Sequence, residues 1–288
     1  MSNMLYSYQD CWNHALSAKK TSNCEQIKHD LISICQTSSV EFWSKFTKKS
    51  LIESNYLQIC QNIDKYLDQN YPVPYLINQV SFYGLSFYIE KGVFIPQKDT
   101  EILVEKVLEL VDKYWKDKKI KVLDIGTGCG NIVISLAKCQ PNWSLTAVDI
   151  NEKTLGVAKN NAELCQVENI QFIQSDLFSN VEKNEKFDII VSNPPYISND
   201  EYEKLAPIVK EQPKEALVAA NDGYFFYQEI FRSVGNFLAK KFLLIVEIGY
   251  QQEEKVVKLI IEYFPQAKVS IFSDYQDRSR VIAITNNN

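Results

Sequence analysis

The 288-residue chain predicts an α/β fold: a doubly wound, mostly parallel sheet whose last strand runs antiparallel. Three observations carry this. From residue 120 onward, short apolar runs alternate with amphipathic helical stretches. A glycine loop, Gly126-Thr127-Gly128-Cys129-Gly130, joins the first run to the first helix of that series. The last two runs, 269–272 and 281–284, are too close for a crossover helix and must form a hairpin.

Before that series, residues 1–71 contain neither glycine nor proline, and apolar residues recur at helical spacing, as in Ile27, Leu31 and Ile34. They predict a helical domain, with Ser50 or Ser54 capping its later helix. Residues 72–96 change character. Pro72, Pro74, Gly84, Gly92 and Pro96 punctuate short β-type runs, and 80–89 reads as a hairpin turned near Gly84, a linker between domains. A third region, 97–288, opens with Asp99 or Thr100 as cap of a helix over 102–111. Strands follow at 120–125, 145–148, 170–173, 189–191 and 242–246, then the closing pair: seven in all. Helices are expected at 131–138, 153–164, 224–238 and 251–263.

Composition narrows the chemistry. Apolar content of 45% and charged content of 23% are those of a globular chain. A net charge of −5 argues against a broad nucleic-acid face, and no stable nucleic-acid partner is expected. No stretch reads as a membrane span or signal peptide, so a cytoplasmic monomer is expected. The seven cysteines are scattered without a CxxC pair, which predicts neither a zinc site nor a disulfide framework. His14 and His29 are single and far apart, which suits packing or surface roles better than ligation.

The strongest local signal is Asn193-Pro194-Pro195-Tyr196, just past the 189–191 strand. Neither proline can donate to a sheet ladder, so the strand stops and Asn193 sits in a stiff turn. That position, at the carboxyl end of a strand, is where open α/β sheets hold ligands. The Asn193 amide and the Pro194 carbonyl can both accept hydrogen bonds, and Tyr196 adds a flat ring. The set suits a planar group bearing NH2, either a carboxamide or an exocyclic amine. The glycine loop departs from the dinucleotide fingerprint, because Asn131 stands where its third glycine should be. Asp149, ending the second strand about 20 residues on, is placed to grip both hydroxyls of a ribose. With no P-loop lysine, a nucleoside cofactor lacking a pyrophosphate fits best: S-adenosylmethionine. After the third strand, Asp176 could accept from an adenine amine, with Leu177 packed on the ring. The plainer role for Asp176 is a helix cap.

With these words in place the chain resembles the class I S-adenosylmethionine-dependent methyltransferases, and within them the HemK/PrmC family. Matching words run from Pro74-Tyr75-Leu76 through Phe82-Tyr83-Gly84-Leu85-Ser86-Phe87, Ile95-Pro96, Asp99-Thr100-Glu101 and Leu123–Gly130 to Asn193-Pro194-Pro195-Tyr196-Ile197. Later come Pro213, Ala216-Leu217, Asp222-Gly223, Glu247, Gly249, Gln251, Asp277 and Arg280-Val281. There are departures. Gln97-Lys98 replaces the family's Arg-Pro, Gln212-Pro213 its Glu-Pro, and Ala219-Ala220-Asn221 stands where many members carry a glycine.

The resemblance implies a Rossmann-like methyltransferase domain and transfer of a methyl group to the side-chain amide of the glutamine in the Gly-Gly-Gln motif of peptide-chain release factors. It implies that Asp124, Gly126, Thr127, Gly128, Cys129, Gly130, Asp149, Asp176, Leu177 and Asn193 meet the cofactor. It also implies that Asn193, Pro194, Pro195 and Tyr196 hold the substrate. Residues 1–71 match the family in placement only; with no catalytic constellation of their own, they are expected to dock the substrate. Two relatives share the Asn-Pro-Pro-Tyr motif: ribosomal-protein glutamine methyltransferases and the N6-adenine methyltransferases of DNA or RNA. The acidic balance and the absence of a basic recognition segment count against the latter.

Overall fold

Consecutive residues of the central strands point to opposite faces of a sheet, and both faces are apolar. Val122 and Leu123, Ile189 and Ile190, and Leu244 and Ile245 are all fully buried, one of each pair in each of two separate cores. A strand apolar on both sides needs cover on both sides, which is the condition for a doubly wound sheet. The computed structural model describes residues 4–18, 24–115 and 119–286, and divides them into two compact units. One comprises residues 1–79 with 206–211, the other 80–205 with 212–288.

The first unit is built on helices α1 (Tyr8–Ser17), α2 (Cys24–Ile34), α3 (Ser39–Ser44), α4 (Glu53–Gln69) and α5 (Val73–Ile77). Cys11, Leu31, Phe42 and Ile63 form the centre of its core. Ser7 caps α1 in a reciprocal box with Asp10. Two features escaped the sequence. Strands β1 (Leu5–Tyr6) and β2 (Leu51–Ile52) pair antiparallel, and Ile52, not a serine, stands at the cap of α4 without a side-chain bond. His14 Nε2 meets Asp64 at 2.8 Å, a packing role within the unit.

The second unit begins within the hairpin of β3 (Gln79–Phe82) and β4 (Leu85–Tyr88), at Val80, and the hairpin turns at Tyr83-Gly84. Helix α6 (Glu101–Tyr114) follows. Strands β5 (Lys121–Ile125), β6 (Ser144–Asp149), β7 (Ile170–Gln174), β8 (Phe187–Ser192), β9 (Leu238–Glu247), β10 (Lys268–Ser273) and β11 (Ser279–Thr285) make one sheet. Its order is β10-β11-β9-β8-β5-β6-β7, and β11 is antiparallel to both of its neighbours. Helices α7 (Asn131–Cys139) and α8 (Glu152–Leu164) share one face with α6; α10 (Phe225–Val234) and α11 (Glu253–Tyr263) cover the other, and α9 (Asn199–Lys204) lies in the chain between β8 and α10.

Two expectations are corrected. The helix expected over 224–238 ends at Val234, because the chain turns at Gly235 and Leu238 already pairs with Phe187 of β8. Lys240 and Lys241 interrupt the apolar run and conceal the first half of β9 in the sequence. Neither Asp99 nor Thr100 caps α6. A short 3-10 turn, Lys98–Thr100, leads into it, Thr100 makes no capping bond, and its hydroxyl is used elsewhere.

Candidate active site

The carboxyl ends of β5, β6, β7 and β8 open on one cavity of about 310 Å3, in the range of small-molecule sites. After β5 the backbone N–H groups of Gly126 and Thr127 donate to the Val148 carbonyl at 2.9 and 3.0 Å, pinning the loop to β6. Gly126, Gly128 and Gly130 all take φ between +58° and +85°, the left-handed region that other residues adopt at a cost. Gly130 serves packing as well: a Cβ there would come within 2.7 Å of the Ile134 side chain.

Gly126, Thr127, Gly128 and Cys129 line the cavity with Asp149, Asp176, Leu177 and the whole of Asn193-Pro194-Pro195-Tyr196. Two residues assigned to cofactor contact lie off this wall. Gly130 starts α7, and Asp124 is fully buried behind the loop, where Thr127 Oγ1 donates to its Oδ2 at 2.7 Å. Asp124 braces the loop from behind. Burial pushes its carboxyl up to about 7, and its other oxygen has no hydrogen-bond partner among the described residues.

Asp149 accepts from Gly128 N at 3.0 Å through Oδ2 and from Asn151 N at 2.9 Å through Oδ1. Each oxygen keeps a lone pair for a ligand hydroxyl. Burial pushes its carboxyl up from the usual range. The cap of α8 is Asn151, two residues on, so Asp149 is not spent on the helix. Asp176 is no cap either, because no helix follows it. Its carbonyl accepts from Ser179, and its exposed carboxylate has no partner among the described residues. Leu177 beside it sits at φ +47°, strained for a branched side chain, and Ser175 Oγ holds that turn by donating to the Leu177 carbonyl at 2.9 Å.

These residues fit S-adenosylmethionine. The lining holds Asp149, Asp176 and Glu215 but no lysine or arginine, so it offers no counter-charge to a phosphate and a favourable field to a sulfonium.

On the far wall, Asn193 Nδ2 donates to Thr100 Oγ1 at 3.2 Å. Neither Asn193 Oδ1 nor the Pro194 carbonyl receives a donor among the described residues. Tyr196 Oη donates to Glu247 Oε1 at 3.3 Å, and Gln252 Nε2 donates to the Tyr196 carbonyl at 2.9 Å. Gly223 lies so close to this turn that a Cβ would stand 2.2 Å from the Tyr196 oxygen. Burial pushes the Tyr196 hydroxyl well above its usual range and the Glu247 carboxyl up to about 7.

The sequence reading missed Thr100 and Glu247 as site residues, along with Asn161. The last, on α8, donates to the carbonyls of Tyr88 and Cys129 at 3.0 and 2.9 Å, tying the hairpin to the glycine loop. Glu247 was visible as a matching word without a role, and Thr100 as a matching word and a candidate helix cap. Gln212, where the chain departs from the family's Glu, holds the segment before α6, since its Oε1 accepts from Ile95 N at 2.9 Å.

A family model, Methyltransferase small domain, matches residues 85–222, from the hairpin past the Asn-Pro-Pro-Tyr turn. The release factor glutamine methyltransferase of Bacillus cereus is 37% identical over 82% of this chain and 83% of its own length. This chain belongs to the release factor glutamine methyltransferase family. The Fusobacterium nucleatum member is 44% identical over 73% of this chain, which spans 59% of that relative's length. Among solved structures, the Thermus thermophilus 16S rRNA N2 G1207 methyltransferase, in complex with AdoMet and guanosine, superposes with a TM-score of 0.53. It is 17% identical and covers 73% of this chain and 50% of that one, a likeness of fold. The resemblance read from the motifs is therefore borne out, as is the class I methyltransferase fold. Among the described residues no helix is long and apolar enough to cross a membrane, and no group of three or more His, Cys, Asp or Glu side chains could hold a metal ion.

Proposed function

We propose that this protein transfers a methyl group from S-adenosylmethionine to the side-chain amide nitrogen of the glutamine in the Gly-Gly-Gln motif of peptide-chain release factors. The observation that carries the reading is the pair of unoccupied acceptors, Asn193 Oδ1 and the Pro194 carbonyl, beside Tyr196 on a cavity whose other wall suits an adenosyl sulfonium.

When bound, S-adenosylmethionine supplies an electrophilic methyl on a sulfonium. Asp149 would hold the ribose, Asp176 the adenine amine, and Leu177 the ring face. A carboxamide nitrogen is a poor nucleophile, because its lone pair is delocalised into the carbonyl. Asn193 and Pro194 accept its two N–H groups and orient that lone pair toward the methyl. These bonds strengthen as the nitrogen gains positive charge, so they favour the transition state over the bound substrate. No base is required during transfer, since the nitrogen becomes acidic once methylated.

A pocket that sees an amide and a short stem discriminates little between one exposed glutamine and another. The helical unit of residues 1–71 therefore supplies release-factor selectivity in this reading, and the protein works in the cytoplasm, where release factors act. The deciding experiment offers labelled S-adenosylmethionine with a release factor, a ribosomal protein fraction and nucleic acid. Label on the Gly-Gly-Gln glutamine alone is expected; label elsewhere and none on the factor overturns the reading. A chain lacking residues 1–71 should still bind S-adenosylhomocysteine yet lose most of its kcat/KM on the intact factor. Undiminished methylation would remove the docking role.

A further inference from the structure

Gln252 stands at the cap of α11 but makes no side-chain capping bond to that helix. Its side chain turns back toward the amide wall instead. Nε2 donates to the Tyr196 carbonyl at 2.9 Å, while Oε1 accepts from Gly249 N at 2.9 Å and from Tyr227 Oη of α10 at 3.3 Å. Gln252 does not itself line the cavity. We propose that Gln252 is a positioning residue for methyl transfer: it clamps the main chain at Tyr196 and so holds the Asn193 and Pro194 acceptors where the substrate amide needs them. This rests on the reading of those two acceptors as the holders of that amide.

Counting donors fixes the clamp in one orientation. A backbone N–H only donates, and a backbone carbonyl only accepts. With the Gly249 N–H at one end and the Tyr196 carbonyl at the other, the Gln252 amide fits one way round. Reversed, it would set NH2 against N–H and oxygen against oxygen. Both partners are main-chain groups, so no change of rotamer on their side relieves the mismatch. At 7% exposure, water does not stand in for a lost partner, and removing the amide leaves a donor and an acceptor unpaired. Gly223 leaves room for the bond to Tyr196: a Cβ there would stand 2.9 Å from Gln252 Nε2.

The clamp reaches the acceptors because the chain between is stiff. The rings of Pro194 and Pro195 fix φ at both positions. Before the turn, Ser192 Oγ donates to the Ile125 carbonyl at 2.9 Å; after it, Ile197 N donates to the Leu217 carbonyl at 2.9 Å. Tyr196 is gripped at three points by one short segment, 247–252. Its hydroxyl donates to Glu247 Oε1 at 3.3 Å, and its carbonyl accepts from Gln252. Its ring passes so close to Gly249 that a Cβ there would stand 2.8 Å from Cδ2. That segment is anchored in turn to β11, where Ile248 N donates to the Arg280 carbonyl at 2.8 Å. The proline turn is carried by β8 but set by the end of β9.

The test uses the full chain with Gln252→Met, which keeps the length of the side chain but neither end of its amide, and Gly249→Ala, which crowds Tyr196 without removing a hydrogen-bonding group. The readouts are kcat and KM on the release factor, the Kd and stoichiometry of S-adenosylhomocysteine by calorimetry, and NMR of the Gly249 amide and the Asn193 side-chain NH2. Gln252→Met should lower kcat by about 10- to 100-fold, the scale of a misplaced reacting group. KM and cofactor Kd should change little, and Gly249→Ala should shift kcat in the same direction. Combined with Asn193→Ala, Gln252→Met should cost less than the product of the two single losses, because both act on one group. The Gly249 amide, protected in the wild type, should exchange faster in Gln252→Met, and the Asn193 NH2 signals should move. Normal kcat in either folded variant, a loss of kcat that only tracks lost binding stoichiometry, fully multiplicative losses, or unmoved Asn193 signals would each overturn the proposal. Should Gln252→Met fail to fold, Gly249→Ala and the wild-type exchange decide: an unprotected Gly249 amide overturns the clamp. A wild-type protein that methylates no release factor would count against the functional reading instead, and the NMR measurements, which need no substrate, would still decide this one.

Discussion

The cofactor wall of the cavity comes from three successive strand ends, β5, β6 and β7, whereas the amide wall is gathered from Thr100, Asn193, Gly223 and Glu247. On the first wall each group is fixed by its own few neighbours: the glycine loop by Val148, Asp149 by Gly128 and Asn151, Leu177 by Ser175. On the second, Asn193 and Tyr196 are fixed by partners 93 and 51 positions away. A wall made of local turns tolerates change elsewhere in the chain. A wall made of long-range polar bonds inherits the state of the whole sheet.

The comparison breaks most visibly at Asn193. Asn193→Ala should cut kcat by about 100-fold or more, the cost of losing one preorganised partner of the transition state. Affinity for S-adenosylhomocysteine should hardly move; near-normal turnover would erase the division between the walls. Asp149→Ala should do the converse. Each charge-assisted bond to a ribose hydroxyl contributes about 1.5–3 kcal/mol. Calorimetry should show S-adenosylhomocysteine binding at least about tenfold weaker, with the fold intact. Unchanged affinity would take Asp149 out of the site.

A smaller effect compares the carboxyl behind each wall. Asp124 and Glu247 are both pushed up to about 7 by burial, from ordinary values of 3.8 and 4.5. A carboxyl raised in the folded state favours folding below its unfolded value, and that contribution is lost as pH rises through about 7. Unfolding free energy should therefore fall between about pH 4 and 7, by up to about 3–4 kcal/mol per group, and level off above. Asp124→Asn and Glu247→Gln should each remove part of that slope. A stability profile flat across the range would show that neither carboxyl is held as the structure implies.

The same division explains what could be read in advance. Asp149 was legible because a ribose grip needs one acid at one strand end, and the strand, the loop before it and the helix after it all leave local marks. Asn193 was legible because two prolines announce the turn. Asp124 misled: its place at the head of the glycine loop looks like a ligand position, but β5 points its side chain inward, and period-two alternation does not say which layer is core and which is cavity. Thr100 looked like a helix cap because a threonine before an apolar-periodic run usually is one. Its real partner, Asn193, arrives from the turn after β8, and no local pattern records a contact across so many residues. The end of the 224–238 helix was lost for the same reason, since Phe187 claims Leu238 from another strand.

The strand order carries a consequence for how the protein comes into being. β5 bears the glycine loop, yet it lies between β6, which follows soon after, and β8, where Leu123 meets Ile190. During synthesis the loop, Asp149 and Asp176 all emerge while one edge of β5 is still bare. Such an edge is a template for wrong pairing until its true neighbour arrives. β9 and β11 must then add beyond β8 before Glu247 and Arg280 come together. Contacts so distant in the chain make for slow folding. The nascent chain thus acquires the pieces of its nucleoside wall early and completes the opposite wall last, so a truncated product would carry the recognisable motifs without a working site.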